Sequence, residues 1–167
     1  MQCESMPPVG AASPSLLILG SMPGAQSLAQ QRYYAHPRNL FWRLLGGAAG
    51  EDLQNLAYEM RLQRLAARGI TLWDACRTAE RPGSLDSAIR GAVANDLAGF
   101  AKGSPGLRAV AFNGAKAADL GRRAIGDTEL ALIDLPSSSP ANARIPPAEK
   151  QSRWDLLAPF MTGNAED

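Results

Sequence analysis

Residues 15–24 read SLLILGSMPG, a short apolar run that ends at Gly20 and gives way to a loop of Ser, Met, Pro and Gly. A run of this length, bounded by turn-forming residues, predicts a buried β-strand. Three similar runs follow along the chain, and each ends in polar or turn-forming residues: GITLW (69–73), LRAVAF (107–112) and ELALIDL (129–135). Segments with helical spacing of apolar residues separate these runs. The alternation predicts an α/β domain built on a mainly parallel sheet.

The segments between the strands are assigned from helical periodicity and from cap and turn residues. We predict helices at 39–45, 53–67, 115–125 and 147–161, with shorter ones at 84–90 and from 95 or 96 onward. Residues 21–38 and 77–84 are predicted loops. The first fourteen residues are rich in Pro, Ser and small side chains, which predicts a flexible leader. The expected organisation is a leader over 1–14, a single domain over 15–162 and a tail over 163–167.

Composition narrows the class of protein. The 167 residues include 46% hydrophobic and 20% charged side chains, which is typical of a globular domain with a real core. The net charge of +1 neither requires nor excludes a nucleic-acid partner. The two cysteines, Cys3 and Cys76, are too few for an iron–sulfur cluster or a typical structural zinc site. With no signal-peptide pattern and no apolar run long enough for a membrane, we expect a soluble cytoplasmic protein.

The loops that follow the four predicted strands carry most of the candidate chemistry. Ligands of open parallel sheets bind beyond the carboxyl ends of the strands, so these loops should meet at one edge. They are GSMPG (20–24), WD (73–74), FNG (112–114) and LPSSSP (135–140). Each also has a plain structural explanation. The glycine loop can be only a turn, Asp74 can cap the next segment, and the serines can satisfy their own turn.

The segment YYAHPRNLFW (33–42) is the densest in candidate functional groups. Its tyrosines can stack on a base, and Asn39 offers both a donor and an acceptor with which to hold a water molecule. For His36, the single histidine, a structural role in fixing the loop and a role in an active site are equally well supported by the sequence. Phe41 and Trp42 are expected in the core.

A small hydrolase is one interpretation of these residues. Ser21, His36 and Asp74 can be assigned as nucleophile, base and orienting group. Ser21 does not lie in a GxSxG nucleophile elbow, which argues against this assignment.

Taken in order, GSMPG, YYAHPRNLFW, GITLWDACR (69–77), FNG and LPSSSPANAR (135–144) resemble the motifs of the uracil-DNA glycosylase superfamily. The resemblance is strongest to its hypoxanthine-DNA glycosylase branch, with the mismatch-specific uracil and thymine-DNA glycosylases next. It implies a three-layer α/β/α sandwich around a four-stranded, mainly parallel sheet. It also implies a monofunctional enzyme that flips a deaminated base out of DNA and hydrolyses its N-glycosidic bond, with no cofactor and no metal.

The resemblance implies roles for individual residues. Asn39 is the expected catalytic residue, which positions the attacking water. The residues expected to line the base pocket are Gly20, Ser21, Met22, Tyr34, Asp74 and Asn113. The residues expected to hold DNA are Ser137, Ser138, Ser139, Asn142 and Arg144, in a loop that presses into the minor groove. The chain departs from relatives at Met22, where mismatch-specific enzymes have Asn, and at Leu135, where classical uracil enzymes have His.

Hypoxanthine is the favoured base, because an Asp can accept a hydrogen bond from its N1–H. Uracil, xanthine and mismatched thymine remain alternatives, as does a non-catalytic protein that binds damaged DNA. The expected partner is double-stranded DNA, with single-stranded DNA as a further option, and the protein is expected to be a monomer. None of the three lysines lies in a matched pocket motif, and Lys116 is the nearest. Since a lyase step needs an amine in the site, we expect water as the nucleophile and no strand cleavage.

Overall fold

Two β-sheets organise the computed structural model, which describes residues 2–164. The strands in chain order are β1 (Gln2–Glu4), β2 (Val9–Gly10), β3 (Leu16–Gly20), β4 (Ile70–Asp74), β5 (Cys76–Glu80), β6 (Arg90–Ala94), β7 (Ala109–Asn113) and β8 (Ala131–Leu135). The larger sheet has the order β2-β4-β3-β7-β8, in which β3, β4, β7 and β8 run parallel and β2 joins β4 antiparallel at the edge. The predicted α/β class with four parallel strands is therefore confirmed, with one short edge strand added.

Helices cover both faces of the larger sheet. They are α1 (Ala25–Gln30), α2 (Phe41–Ala49), α3 (Tyr58–Ala67), α4 (Leu97–Lys102), α5 (Ala115–Ile125) and α6 (Pro147–Trp154), with 3₁₀ turns at Asp86–Ala88 and Asp155–Phe160. Leu16 and Ile18 of β3 pack in the core beneath α2, α3 and α6, whereas Leu17 and Leu19 pack in the core beneath α4 and α5. Successive strand residues point to opposite faces, so a strand covered on both sides must be apolar throughout. Helices on both faces of the sheet therefore explain why the LLIL run of β3 is apolar without a break.

The first fourteen residues differ from the predicted flexible leader. β1 pairs antiparallel with β5, and β2 pairs antiparallel with β4. Met6, between these strands, is buried in the core. The segment is ordered because its backbone groups complete two sheet edges and its apolar side chains find a core. Of the predicted tail, Gly163 and Asn164 are described, and residues 165–167 lie outside the described residues.

The second sheet was not predicted. Its order is β1-β5-β6, all antiparallel, and β5 lies largely within the predicted loop 77–84. The predicted helix 84–90 is instead a link with a 3₁₀ turn at Asp86–Ala88 that leads into β6. β5 gains backbone partners from the N-terminal β1 and from β6, and these long-range pairings leave no local pattern in the sequence. A further difference is α1, which lies inside the predicted loop 21–38. Within residues 2–164, no helix is long and apolar enough to cross a membrane.

The register of the parallel strands brings their carboxyl ends together. Gly20 of β3 lies opposite Asp74 of β4, and Asn113 of β7 lies opposite Leu135 of β8. The loops that follow these four strands therefore leave the sheet at one edge.

Candidate active site

A cavity of about 970 Å³ opens at this edge of the sheet. All of the residues predicted to line a base pocket lie on its wall, as do Asn39, Ser137, Ser138, Ser139 and Asn142. The wall also includes Lys116 and residues that the sequence did not single out, namely Ser84, Leu85, Asp86, Ser87 and Asp119. Ser84–Ser87 belong to the link between β5 and β6, so the unpredicted second sheet supplies one side of the cavity.

Asp74 is a buried carboxyl at the end of β4, with 3% of its surface exposed. Its Oδ2 atom has no hydrogen-bond partner among the described residues. Burial, followed by the negative charge of Asp86, raises the pKa of Asp74 to about 7, while the Arg81 guanidinium acts in the opposite direction. Near neutral pH this carboxyl can therefore donate a hydrogen bond in its protonated form or accept one in its ionised form.

Gly20 is the strand residue that lets two polar groups approach the cavity floor. A Cβ atom at this position would lie 2.6 Å from Asp74 Oδ1 and 3.0 Å from the Tyr34 hydroxyl oxygen. Both distances are shorter than ordinary van der Waals contact. The absent side chain of Gly20 therefore makes room for Asp74 and Tyr34 side by side.

Tyr34 presents an aromatic face to the cavity. Its ring stacks on Phe41, with centroids 3.7 Å apart and planes within 7°, so one face is covered by the core. The residue adopts a φ of +56°, a left-handed conformation that is uncommon for a non-glycine residue and worth explaining where it occurs. Its buried hydroxyl has no partner of hydrogen-bonding geometry in the described chain, although Asn113 is near enough to lower its pKa against the dominant effect of burial, which raises it.

The GSMPG loop is held from below by a buried arginine. Arg81, almost fully buried, donates to the carbonyl of Met22 at 3.3 Å and to the carbonyl of Pro23. It also lies 3.6 Å from Asp86, whose carboxylate accepts the hydroxyl of Ser21 at 2.6 Å. These contacts fix the loop carbonyls away from the cavity. Among residues 2–164, no acceptor is paired with the backbone N–H of Met22.

Asn39 stands at the entry to α2, where its orientation is fixed. Its Oδ1 atom accepts from the backbone N–H of Phe41 at 3.0 Å, which leaves the side-chain NH₂ for a ligand or a water. Neighbouring His36 accepts the N–H of Arg38 on Nδ1 at 3.1 Å, so the proton of the neutral ring is on Nε2. His36 thus fixes its own turn while it also lines the cavity. The hydroxyl of Ser21 is bonded to Asp86 and not to His36, which disfavours the hydrolase trio.

The serine-rich loop is pinned by two buried polar residues. Asn113 uses its whole side chain on Ser138, accepting the backbone N–H and donating to the hydroxyl, both at 2.9 Å. Lys150 of α6 donates to the carbonyls of Ser137 and Asn142, both at 2.7 Å. Asn113 therefore positions the loop as well as lining the cavity. Sequence reasoning missed Lys150, because a lysine twelve residues past Ser138 gives no local sign of pointing inward.

Two basic residues lie differently from expectation. Arg144 does not reach the cavity wall, because it is exposed beyond Asn142, where the chain leads away to α6. Lys116 does line the cavity, because the loop after β7 runs directly into α5, whose first turn faces the opening. A lysine amine is therefore present on the wall, contrary to the expectation drawn from the motifs.

A second, smaller cleft of about 550 Å³ adjoins the cavity at His36 and Asn39. Arg32, Arg43 and Arg61 line this cleft, and no aspartate or glutamate among residues 2–164 does. Arg61 is partly engaged by the carbonyls of the 53–54 segment, whereas Arg43 is exposed. The cleft therefore has a positive wall next to the site.

Comparison with known proteins supplies independent evidence. The family profile described as the Uracil DNA glycosylase superfamily matches residues 7–158. A Methanosarcina acetivorans protein named hypoxanthine DNA glycosylase is 42% identical over 145 residues, covering 85% of this chain and 89% of the relative. A Methanosarcina barkeri protein of the same name is 40% identical over 147 residues, covering 86% and 90%. The solution NMR structure of a uracil DNA glycosylase candidate from Methanosarcina acetivorans superposes with a TM-score of 0.83 at 39% identity, covering 96% of this chain and 99% of that one.

Proposed function

The chain belongs to the uracil DNA glycosylase superfamily, and on that premise we propose that it is a monofunctional DNA glycosylase that removes hypoxanthine. The names of the two Methanosarcina relatives support this base. The observation that carries the proposal is the buried carboxyl of Asp74, which has an unpaired oxygen and lies at the floor of the cavity beside the Tyr34 ring. A polar atom left unpaired in a buried site is costly, and a ligand that pairs with it recovers that cost.

Recognition of the base is assigned to three groups. One face of the Tyr34 ring stacks on Phe41, so the opposite face of this ring is assigned to cover the flipped base. Asp74 pairs with the base edge: the ionised carboxylate accepts N1–H, and the protonated carboxyl donates to the base as negative charge develops on it. The N–H of Met22 supplies a further donor. The neutral form of Asp74 avoids electrostatic repulsion of an anionic leaving base. A pKa near 7 is useful to the reaction because it keeps this neutral form populated at neutral pH.

Cleavage is assigned to water held by Asn39. The bond from the sugar C1′ to the base breaks, the electron pair leaves with the base, and the sugar passes through an oxocarbenium-like state. The side-chain amide of Asn39 is already oriented by the Phe41 N–H, so it can hold a water without reorganising. Water adds to C1′ and loses a proton, which leaves an abasic site.

Lys116 makes the choice of nucleophile a matter for experiment. A lyase step requires an amine to attack C1′ and form a Schiff base. We retain water, because Asn39 and Asp74 together provide a water site and a leaving-base site without the lysine. Borohydride reduction during turnover should therefore trap no covalent protein–DNA complex. A trapped complex that disappears in Lys116→Ala would overturn the monofunctional assignment.

The DNA contacts are assigned to the two flanks of the cavity. The hydroxyls and N–H groups of the 137–142 loop, pinned by Lys150, are proposed to hold phosphates beside the flipped nucleotide. Arg43 in the adjoining positive cleft is proposed to contact the backbone further along the strand. Arg144, exposed at the end of the loop, stays a proposed backbone contact. One flipped nucleotide fills one cavity, so a monomer suffices for the reaction. We propose that this monomer acts on duplex DNA in the compartment that holds the genome.

The decisive test is a substrate panel. Duplexes with a single deoxyinosine, deoxyuridine, deoxyxanthosine or mismatched thymidine are incubated with the protein, and abasic sites are then cleaved with alkali. We expect fastest release from deoxyinosine. Faster release from another member would reassign the base, and no release from any member would remove the enzyme function. Tight binding to deoxyinosine DNA without release would instead favour the non-catalytic alternative. Asn39→Ala should lower the rate on the order of a hundredfold with the fold intact.

A further inference from the structure

Asp86 is a carboxylate on the cavity wall that takes no part in the proposed reaction. Its side chain is 42% exposed, whereas that of Arg81, 3.6 Å away, is buried. One carboxylate oxygen of Asp86 accepts the hydroxyl of Ser21 at 2.6 Å, and the other accepts no hydrogen bond from residues 2–164. Asp86 therefore adds a second acidic acceptor to the wall, besides Asp74.

The backbone around Asp86 holds this carboxylate in place. The N–H of Ile89 donates to the carbonyl of Asp86 at 3.1 Å and closes a 3₁₀ turn over Asp86–Ala88. Ile89 is 3% exposed and belongs to a small core that also contains Met22. The turn is thus packed against the GSMPG loop, so a movement of Asp86 away from the wall would disturb this core.

The hydrogen bond between Ser21 and Asp86 determines what Ser21 can offer to a ligand. A serine hydroxyl has one proton, and Ser21 donates this proton to Asp86. The oxygen of Ser21 can therefore only accept a further hydrogen bond, as can the carboxylate of Asp86. Together the two side chains offer acceptors and a negative charge, and neither of them offers a donor.

The candidate bases differ in the groups that flank their ring N–H. In uracil, thymine and xanthine a carbonyl lies on each side of one N–H, whereas the N1–H of hypoxanthine lies between one carbonyl and a C–H. In the proposed recognition, Asp74 accepts the N–H of the base, and the N–H of Met22 donates to one carbonyl. The group on the remaining flank is then a C–H in hypoxanthine and a carbonyl oxygen in the other three bases.

We propose that Asp86, together with the hydroxyl oxygen of Ser21, faces this remaining flank and rejects bases that have a second carbonyl there. Two acceptors that face each other without a proton between them repel, and both lose their hydrogen bonds to water. A C–H against a carboxylate oxygen is weakly favourable instead. Asp86 thus determines specificity by repulsion. The inference rests on the proposed function, because it concerns the choice among bases that are excised.

Asp86→Asn tests this role with a side chain of nearly the same shape. The amide has no charge, and either of its orientations adds a donor: the NH₂ group faces the ligand, or it donates to Ser21 and releases the hydroxyl proton. Single-turnover excision is measured on duplexes with one deoxyinosine, deoxyuridine or deoxyxanthosine. The ratios of the deoxyinosine rate to the other two rates should each fall about tenfold or more.

The ratios isolate specificity from other effects of the substitution. Besides burial, the charge of Asp86 raises the pKa of Asp74, and this effect is common to all substrates, so it cancels. Asp134→Asn is the matched control, because Asp134 is also partly exposed and paired with an arginine, Arg122 at 3.0 Å, but does not line the cavity. It should leave all three rates unchanged. Thermal unfolding of Asp86→Asn should stay close to that of the wild type, because the amide can still bond to Ser21.

The second measurement does not depend on catalysis. Duplexes carry 2′-fluoro analogues of deoxyinosine or deoxyuridine, whose glycosidic bonds resist cleavage, and their dissociation constants are measured. The wild type should bind the inosine analogue more tightly by about tenfold or more, and Asp86→Asn should reduce this preference to about threefold or less.

Two outcomes would overturn the assignment of Asp86. Unchanged rate ratios and binding preference in Asp86→Asn would show that the carboxylate does not select the base. An equal loss of rate on all three substrates would show that it only supports the loop. If the wild type released no base from any duplex, the proposed function would fail, while the two dissociation constants would still decide the role of Asp86.

Discussion

Replacing Asp74 by Asn should stabilise the protein at alkaline pH while it impairs the proposed reaction. The wild-type carboxyl is buried, and burial raises its pKa from 3.8 to about 7. At pH values between these two pKa values, the folded protein therefore holds a proton on Asp74 that the unfolded chain has released. Stability falls as the pH rises through this window, because the unfolded chain gains free energy by releasing a proton that the folded protein still holds. Asn is similar in size and does not titrate.

The size of the effect follows from the width of the window. Between pH 5 and pH 7 each pH unit corresponds to about 1.4 kcal/mol, so the wild type should lose about 3 kcal/mol from this group between pH 5 and pH 8. The unpaired position at Oδ2 adds a cost for the Asn amide of about 1–3 kcal/mol, but that cost is the same at both pH values. The pH-dependent difference between the two proteins therefore isolates the carboxyl.

The assay is urea unfolding followed by tryptophan fluorescence at several pH values from 5 to 8. The free energy of unfolding of Asp74→Asn minus that of the wild type should increase by about 3 kcal/mol across the range. Asp127→Asn, at an exposed aspartate, is the matched control and should follow the wild type. In the same preparation, excision of hypoxanthine by Asp74→Asn should fall on the order of a hundredfold. Parallel pH profiles for Asp74→Asn and the wild type would refute the reasoning, because they would mean that Asp74 is ionised in the folded protein throughout.

Three further substitutions test other parts of the site. Gly20→Ala should displace the side chains of Asp74 and Tyr34 and lower the excision rate by roughly a hundredfold, with little change in unfolding midpoint; an unchanged rate would show that their present placement is not needed. Lys150→Met removes two hydrogen bonds to loop carbonyls and should destabilise the protein by about 2–3 kcal/mol, with faster amide hydrogen exchange over 137–142; unchanged exchange there would contradict the pinning role. Arg43→Gln should reduce the slope of log affinity against log salt by about 0.9 on duplex DNA, whereas exposed Arg153→Gln should not; equal slopes would remove Arg43 from the DNA contacts.

The sheet and the edge that carries the site could be predicted from the sequence. LLIL at 16–19 is apolar on both strand faces, which is the pattern of a strand with helices above and below, and the structure confirms it. The carboxyl-end rule then brings Gly20, Asp74 and Asn113 to one cavity without knowledge of any contact. The rule does not predict which contacts each of these residues makes in the cavity. Asn113, expected to line a base pocket, is shown to spend both polar atoms of its side chain on Ser138.

The parts that could not be predicted share a physical cause. β5 and β6 carry mostly polar or small residues, and β6 is exposed along its whole length, so no apolar alternation reveals them. They form because β1, more than seventy residues away in the chain, supplies backbone partners. Local sequence patterns report side-chain burial, whereas β5 buries only Cys76 and Ala79, and β6 buries no side chain. The wall of the cavity that bears Leu85 and Asp86 could for that reason not be predicted from single segments of the sequence.

Arg81 and Lys150 extend the same argument from backbone to side chains. Both are charged, both are almost completely buried, and both donate to loop carbonyls on the cavity rim. Burying a charge is costly unless hydrogen bonds compensate for it, so each loop must hold its carbonyls in one arrangement to keep its cation satisfied. The two residues thus fix carbonyls of two separate loops that line the cavity, those of Met22 and Pro23 and those of Ser137 and Asn142.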